Sequence, residues 1–185
     1  MRRALPWILG AVLVVGAGAV TAMTPTEEDV LGPFALHGAV GETVSSRALV
    51  ATVEDAVFAD EVAVSDGSWS AEGNWLVVRI TASAAQTEVD AAVQLATLVV
   101  GDRVFRASER PSAALRGTAL RVGIDTVGVL AFELPPDVST GTAELRLTTD
   151  FITSELDDLI VVTIDLGDLD RSESIELSRS EVVPR

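Results

Sequence analysis

The chain contains no cysteine, no lysine and a single histidine, His37. Without cysteine there is no disulfide, no thiolate nucleophile, no zinc–thiolate centre and no cysteine-borne lipid anchor. Without lysine, Schiff-base and Ser–Lys chemistry are excluded. One histidine does not make a multi-histidine metal site, and a Ser–His–Asp system would have to use His37 as its base. No Gly-x-Ser-x-Gly elbow accompanies it. The stretch Ser65-Asp66-Gly67-Ser68-Trp69-Ser70 reads as a turn instead. No glycine loop followed by lysine links a strand to a helix, so a phosphate cradle is absent as well.

Positive charge is also scarce. Thirteen arginines face 28 acids, for a formal net charge of −15. A surface of that sign repels phosphate backbones, so no nucleic-acid partner is expected. It repels anionic lipid headgroups for the same reason. It would draw cations or a basic partner, but solubility alone accounts for it. No cofactor is implied.

Apolar residues, in contrast, make up 48 % of the 185 residues, enough for one domain to bury a core without covalent staples. The first apolar run is uncharged from Leu5 to Met23 and follows Met1-Arg2-Arg3. As a helix rising about 1.5 Å per residue it would be roughly 28 Å long, close to a hydrocarbon core of about 30 Å. Trp7 stands near one end, and the two arginines would stay on the cytoplasmic side. A cleaved signal peptide is the rival reading, with small-residue sites at Ala17-Gly18-Ala19 and Val20-Thr21-Ala22. The run exceeds the usual signal core of about 7–15 residues, which favours a retained anchor. Either reading exports the remainder. The organisation expected is a signal-anchor or transmembrane helix at 1–23, a linker at 24–33, and one extracytoplasmic domain at 34–185.

That domain shows short β-rich runs between turn residues and no sustained helical period. Strands are expected at 34–40, 48–53, 61–64, 75–82, 92–98, 103–106, 127–134, 143–149, 159–166 and 174–177. Residues 110–122 are the least regular and read as a loop or short helix. In Trp75-Leu76-Val77-Val78-Arg79-Ile80-Thr81, Leu76, Val78 and Ile80 share the expected core face. Leu145 and Leu147 alternate with Glu144, Arg146 and Thr148 in the same manner. Pro135-Pro136 ends its strand, since proline donates nothing to a ladder. About ten short strands without crossover helices predict an all-β fold, an immunoglobulin-like antiparallel β-sandwich, with a closed barrel as the alternative.

The order of segments strengthens that expectation. Gly41-Glu42-Thr43-Val44 precedes a strand ending Val50-Ala51-Thr52-Val53-Glu54. Next come Gly73-Asn74-Trp75-Leu76-Val77-Val78-Arg79-Ile80-Thr81, then Leu98-Val99-Val100-Gly101-Asp102-Arg103-Val104-Phe105, then Gly128-Val129-Leu130-Ala131-Phe132-Glu133-Leu134-Pro135-Pro136-Asp137. Over residues 38–166 this resembles a bacterial extracytoplasmic immunoglobulin-like domain of unknown function, a group similar in fold to the secreted immunoprotective antigens of mycobacteria. The resemblance implies a β-sandwich outside the cytoplasm behind a signal, lipid or transmembrane anchor. It brings no catalytic or ligand residue. Ala82-Ser83-Ala84-Ala85 and Val122-Gly123 depart from the group's usual turns.

Candidate sites follow from residue type. Asp165, Asp168 and Asp170 are the best-spaced acids for calcium, which needs several converging oxygens, although the twelve-residue loop pattern is incomplete. Solvated loop charge is the favoured explanation of them. Trp69 and Trp75 would suit a sugar-stacking platform if exposed, and core packing if Trp75 is buried. Paired carboxylates for glycoside hydrolysis require a separation that sequence does not reveal. The expected function is a non-enzymatic, membrane-tethered module of the cell envelope that contacts another protein. The alternatives are a carbohydrate- or cation-binding module and, least favoured, a carboxylate hydrolase.

Overall fold

In the computed structural model, residues 5–23, 31–152 and 155–184 are described. Contacts divide the chain into two units, Met1–Gly32 and Pro33–Arg185. The first holds helix α1 (Leu5–Met23), which carries no charged residue. Thr21 Oγ1 donates back to the Ala17 carbonyl at 3.0 Å, satisfying its hydroxyl within the helix. Its described side chains, at residues 7–21, are exposed all round. Among the described residues no helix is long and apolar enough to cross a membrane. The leader arginines Arg2 and Arg3 and linker residues 24–30 lie outside the described residues.

The second unit is a two-sheet, immunoglobulin-like β-sandwich. Its strands are β1 (Phe34–Ala39), β2 (Thr43–Ser45), β3 (Leu49–Val64), β4 (Ser70–Ala84), β5 (Leu95–Val100), β6 (Arg103–Arg106), β7 (Ile124–Leu134), β8 (Thr142–Thr148), β9 (Asp158–Asp165), β10 (Arg171–Ser172), β11 (Ile175–Leu177) and β12 (Glu181–Pro184). One sheet has the order β1-β9-β8-β5-β6; the other runs β10-β3-β4-β7-β12, with β2 and β11 also on β3. The central pairings are antiparallel, as expected. Parallel pairing occurs where β1 joins β9 and where β10 and β11 join β3.

Alternation places the core. Leu76, Val78 and Ile80 of β4 face inward with Val53 and Phe58 of β3 and Leu130 and Phe132 of β7. They meet Leu98, Leu145, Leu147, Ile160, Val162 and Ile164 from the opposite sheet. Each such side chain contributes about 1.5–3 kcal/mol when fully buried. Between Leu145 and Leu147, Arg146 points outward and pairs with Glu144 at 2.7 Å. The two sheets are clasped at one end by Arg47, just before β3. Its backbone N–H donates to Asp158 Oδ2 at 2.7 Å, and its guanidinium reaches Asp158 at 3.1 Å and Asp157 at 3.0 Å. The Arg47 N–H is the main reason the Asp158 carboxyl titrates below its ordinary value; the guanidinium adds to the shift.

Two expectations change in detail, and the loop alternative for residues 110–122 is the one observed. The runs at 48–53 and 61–64 belong to one strand, β3, which continues through register shifts at Val53/Asp55 and Ala59/Glu61. Residues 85–94 form a loop, so β5 begins at Leu95 rather than at 92. Residues 110–122 form neither helix nor strand. They line the free edge of β7, where Leu115 N–H donates to the Val129 carbonyl at 2.9 Å. Nearby, Ser108 N–H donates to the Ala131 carbonyl at 2.7 Å, so that edge is closed by irregular chain as well as by β12.

Candidate functional site

On β4, Trp75 and Val77 lie on the face away from the inter-sheet core, yet both are buried. A second apolar cluster explains this. Ala59, Val62 and Val64 of β3, Trp75 and Val77 of β4, Ala131 of β7, Ala113 and Leu177 pack together, with Trp69 and Ile175 against them. The irregularities in β3 supply the bend that a regular strand lacks, because bulges increase local twist. The sheet is therefore covered on both faces, and Val57, Val77 and Val129 become the floor of a depression on the outer one.

The wall of that depression is the C-terminal strap. β11 runs beside β3, the chain crosses at Ser178–Ser180, and β12 continues beside β7. Ser65 N–H donates to the Leu177 carbonyl at 3.1 Å, and Arg179 pairs with Asp66 at 3.2 Å. The Asp66 carboxyl is held below its ordinary value, first by hydrogen bonds from Ser68 and then by Arg179. Gly128 sits beneath the strap, where a Cβ would come within 3.3 Å of Ser180 Cβ. The depression, open to solvent, holds about 340 Å³ and is lined by apolar side chains and by Asp55, Arg79, Glu176, Arg179 and Glu181. Asp55 and Arg79 already pair at 3.5 Å. An apolar floor with a charged rim can bind an amphipathic ligand or peptide.

The two tryptophans do not form an open platform. Trp75 is fully buried and offers no face to a sugar; its Nε1 has no hydrogen-bond partner among the described residues. Trp69 is half-buried, stands edge-to-face against Trp75 at 5.7 Å, and carries the Arg110 guanidinium over its ring at 5.3 Å. Arg110 is in turn fixed by Glu133 at 2.8 Å. Stacking on Trp69 would have to displace that arginine.

Asp165, Asp168 and Asp170 serve the turn between β9 and β10. Asp165 caps the 3-10 turn Leu166–Asp168 by accepting from Gly167 N–H at 2.9 Å. The Asp170 carbonyl accepts from Phe58 N–H at 2.9 Å, which aligns β10 with β3. Among the described residues no three acids or histidines converge where a metal ion would sit, so the calcium spacing in sequence does not become a coordination shell. His37 lies exposed on edge strand β1 opposite Val161.

Of the strap, β11 falls within the strand expected at 174–177, whereas β12 and the crossing between them were not expected. The available signal lay in Trp75-Leu76-Val77-Val78. Four consecutive apolar residues in a strand mean that both faces are covered.

No family model matches the chain, and no curated protein matches it. Two solved structures are similar in shape. One is a putative lipoprotein from Staphylococcus aureus, with a TM-score of 0.48 and 12 % identity over 75 % of this chain and 97 % of that one. The other is an uncharacterized β-sandwich protein from Clostridium difficile, with a TM-score of 0.47 and 15 % identity over 77 % of this chain and 100 % of that one. Neither brings a residue, a ligand or an activity to this chain. No similarity to the mycobacterial secreted antigens is shown, so the resemblance extends to a β-sandwich of unknown function and no further.

Proposed function

We propose that this protein is a non-enzymatic envelope module, tethered to the membrane by α1 with its sandwich on the extracytoplasmic side, and that it binds a protein partner. One observation carries the binding reading: the depression of about 340 Å³ beneath the C-terminal strap has a valine floor, and its Asp55 and Arg79 already neutralise each other. Catalytic carboxylates are expected to be desolvated, whereas the Asp55 and Arg79 side chains are both exposed. The tether reading rests on sequence: residues 5–23 carry no charge, follow two arginines, and would span roughly 28 Å as a helix.

Site-specific photo-crosslinking in intact membranes tests both parts. A probe at Val57 or Ile175 is expected to capture one discrete partner, and a probe at exposed Thr163 on the opposite sheet is expected not to. Equal capture at all three positions would reject the strap as the contact surface. Recovery of the full-length chain in the soluble fraction after alkaline carbonate extraction would reject the tether.

A further inference from the structure

The charges around the depression are not equivalent. Its two cations are committed: Arg79 pairs with Asp55 at 3.5 Å, and Arg179 pairs with Asp66 at 3.2 Å. Its other charged residues are Glu176 on β11 and Glu181 on β12, both exposed. Neither glutamate has an ion-pair partner among the described residues. They stand at the two ends of the crossing Ser178–Ser180, and even along fully extended chain positions 176 and 181 are at most about 18 Å apart. Both are carried on paired backbone, Glu176 opposite Ala63 and Glu181 opposite Val127, so the two carboxylates are positioned before any ligand arrives. Beside them lies the apolar floor of Val57, Val77 and Val129, with Ile175 on the wall.

We propose that the partner segment received here carries an apolar side chain between two basic ones. The apolar side chain covers the valine floor, and an arginine or lysine on either side meets Glu176 and Glu181. The inference rests on the depression being the contact surface and adds the chemistry of what it contacts.

Charge complementarity selects this occupant. An acidic segment would meet two carboxylates and no free cation, because taking Arg79 or Arg179 would strip Asp55 or Asp66 of its partner. An uncharged segment would leave both glutamates unanswered. The formal net charge of −15 steers a basic segment inward from a distance and opposes a second copy of the same chain. Two exposed ion pairs together supply about 2–30-fold in affinity, so they set preference while burial of the floor supplies the bulk of binding.

A phage-displayed random peptide library panned against the purified full-length protein in detergent reads that preference. The parent is expected to enrich peptides in which an apolar residue is flanked by arginine or lysine. A fluorescein conjugate of the enriched peptide is expected to bind about 2–30-fold more weakly to the double variant Glu176→Gln, Glu181→Gln, and to weaken at high salt without being lost. The double variant Glu176→Arg, Glu181→Arg is expected to enrich acidic flanks instead. These substitutions fall at exposed positions, and an unchanged Tm checks that the fold is intact. Val57→Asp is expected to abolish binding of either kind of peptide; should it fail to unfold cooperatively, Ile175→Asp takes its place. Apolar peptides without a basic bias, or a bias that the arginine variant leaves unchanged, overturn the inference, while loss of binding on Val57→Asp keeps the depression as the contact surface. No enriched peptide, or enrichment that survives both aspartate variants, removes the depression as the contact surface and the inference with it. Self-association of the parent that Val57→Asp abolishes assigns the depression to a second copy and overturns the inference as well.

Discussion

Gly128→Ala tests whether the C-terminal strap is held by close packing. Gly128 lies in β7 with ordinary negative φ, so its backbone does not require glycine. On conformational grounds alone alanine would stabilise the fold by about 0.4–1 kcal/mol, by restricting the unfolded chain. The native contacts oppose that gain. A Cβ at 128 would lie 2.9 Å from Leu115 Cβ, 3.0 Å from Leu115 Cδ1 and 3.3 Å from Ser180 Cβ. The nearest of these is a main-chain-anchored carbon of a fully buried residue, so relief needs movement of residues 111–122 or of the strap. Overpacking of this kind costs about 1–3 kcal/mol. The net expectation is a loss of about 1–2 kcal/mol, or a fall in Tm of roughly 2–8 °C for a domain of this size. Hydrogen exchange locates the effect: the amides of β12, paired with residues 124–127, lose protection before those of β8. A variant as stable as the parent, or one destabilised with β12 protection unchanged, would refute the wedge.

Trp75→Phe removes the unpartnered buried Nε1–H, whose desolvation costs about 1–3 kcal/mol, and so is expected to lie within about 1.5 kcal/mol of the parent in urea unfolding. Trp75→Ala is expected to lose about 3–5 kcal/mol, and equal losses for both would mean that the indole nitrogen is satisfied. Asn74 donates to the Pro135 and Val138 carbonyls at 2.9 Å each and accepts from Arg171 at 2.8 Å, so Asn74→Ala is expected to cost about 1–3 kcal/mol and to loosen the 135–138 turn, read as faster exchange of the Val138 amide that donates to the Pro135 carbonyl. For pH, Asp66 and Asp158 both have folded-state pKa values below the ordinary 3.8. Their contribution is fully present above that value and is lost as pH falls through the depressed folded values. Tm on their account is therefore flat from neutrality to about pH 4 and falls below it. Asp158→Asn is expected to flatten that acid limb; an unchanged limb would show that the Arg47 clasp does not carry it.

The inter-sheet core was legible because it rests on period-two patterning. Leu76, Val78 and Ile80, and likewise Leu145 and Leu147, fall inward as the alternation requires. The proline-marked end of β7 is equally local, for Pro135 directly follows Leu134. What alternation does not encode is a strand that changes direction. β3 looked like two strands because Glu54-Asp55 and Asp60-Glu61 interrupt the apolar pattern, and these are the places where its register shifts. The second apolar cluster depends on that continuity. With it, Val62 and Val64 reach the outer side of Trp75; without it, the tryptophan reads equally well as a surface platform. The acids at 165, 168 and 170 do not converge, for a related reason. Spacing along the chain says nothing about convergence, and here one carboxylate caps a turn while one carbonyl aligns a strand.

Arginine use explains where contact surfaces remain. Arg47, Arg79, Arg103, Arg110, Arg116, Arg146, Arg171 and Arg179 each pair with an acid. Exposed pairs contribute about 0–1 kcal/mol apiece, so their value lies in position more than in stability. Arg47 ties the start of β3 to β9, Arg171 ties β10 to Asp60, and Arg179 ties the strap to the Asp66 turn. With eight of the ten described arginines engaged in this way, the surplus charge is acidic and repels phosphate and anionic lipid over most of the surface. Within that field one region keeps an apolar floor, the depression under the strap, where Val57, Val77 and Val129 lie inside a charged rim. Binding to that floor would be driven by area removed from water. It should therefore survive high salt and fail on substitution of a single apolar residue by a charge.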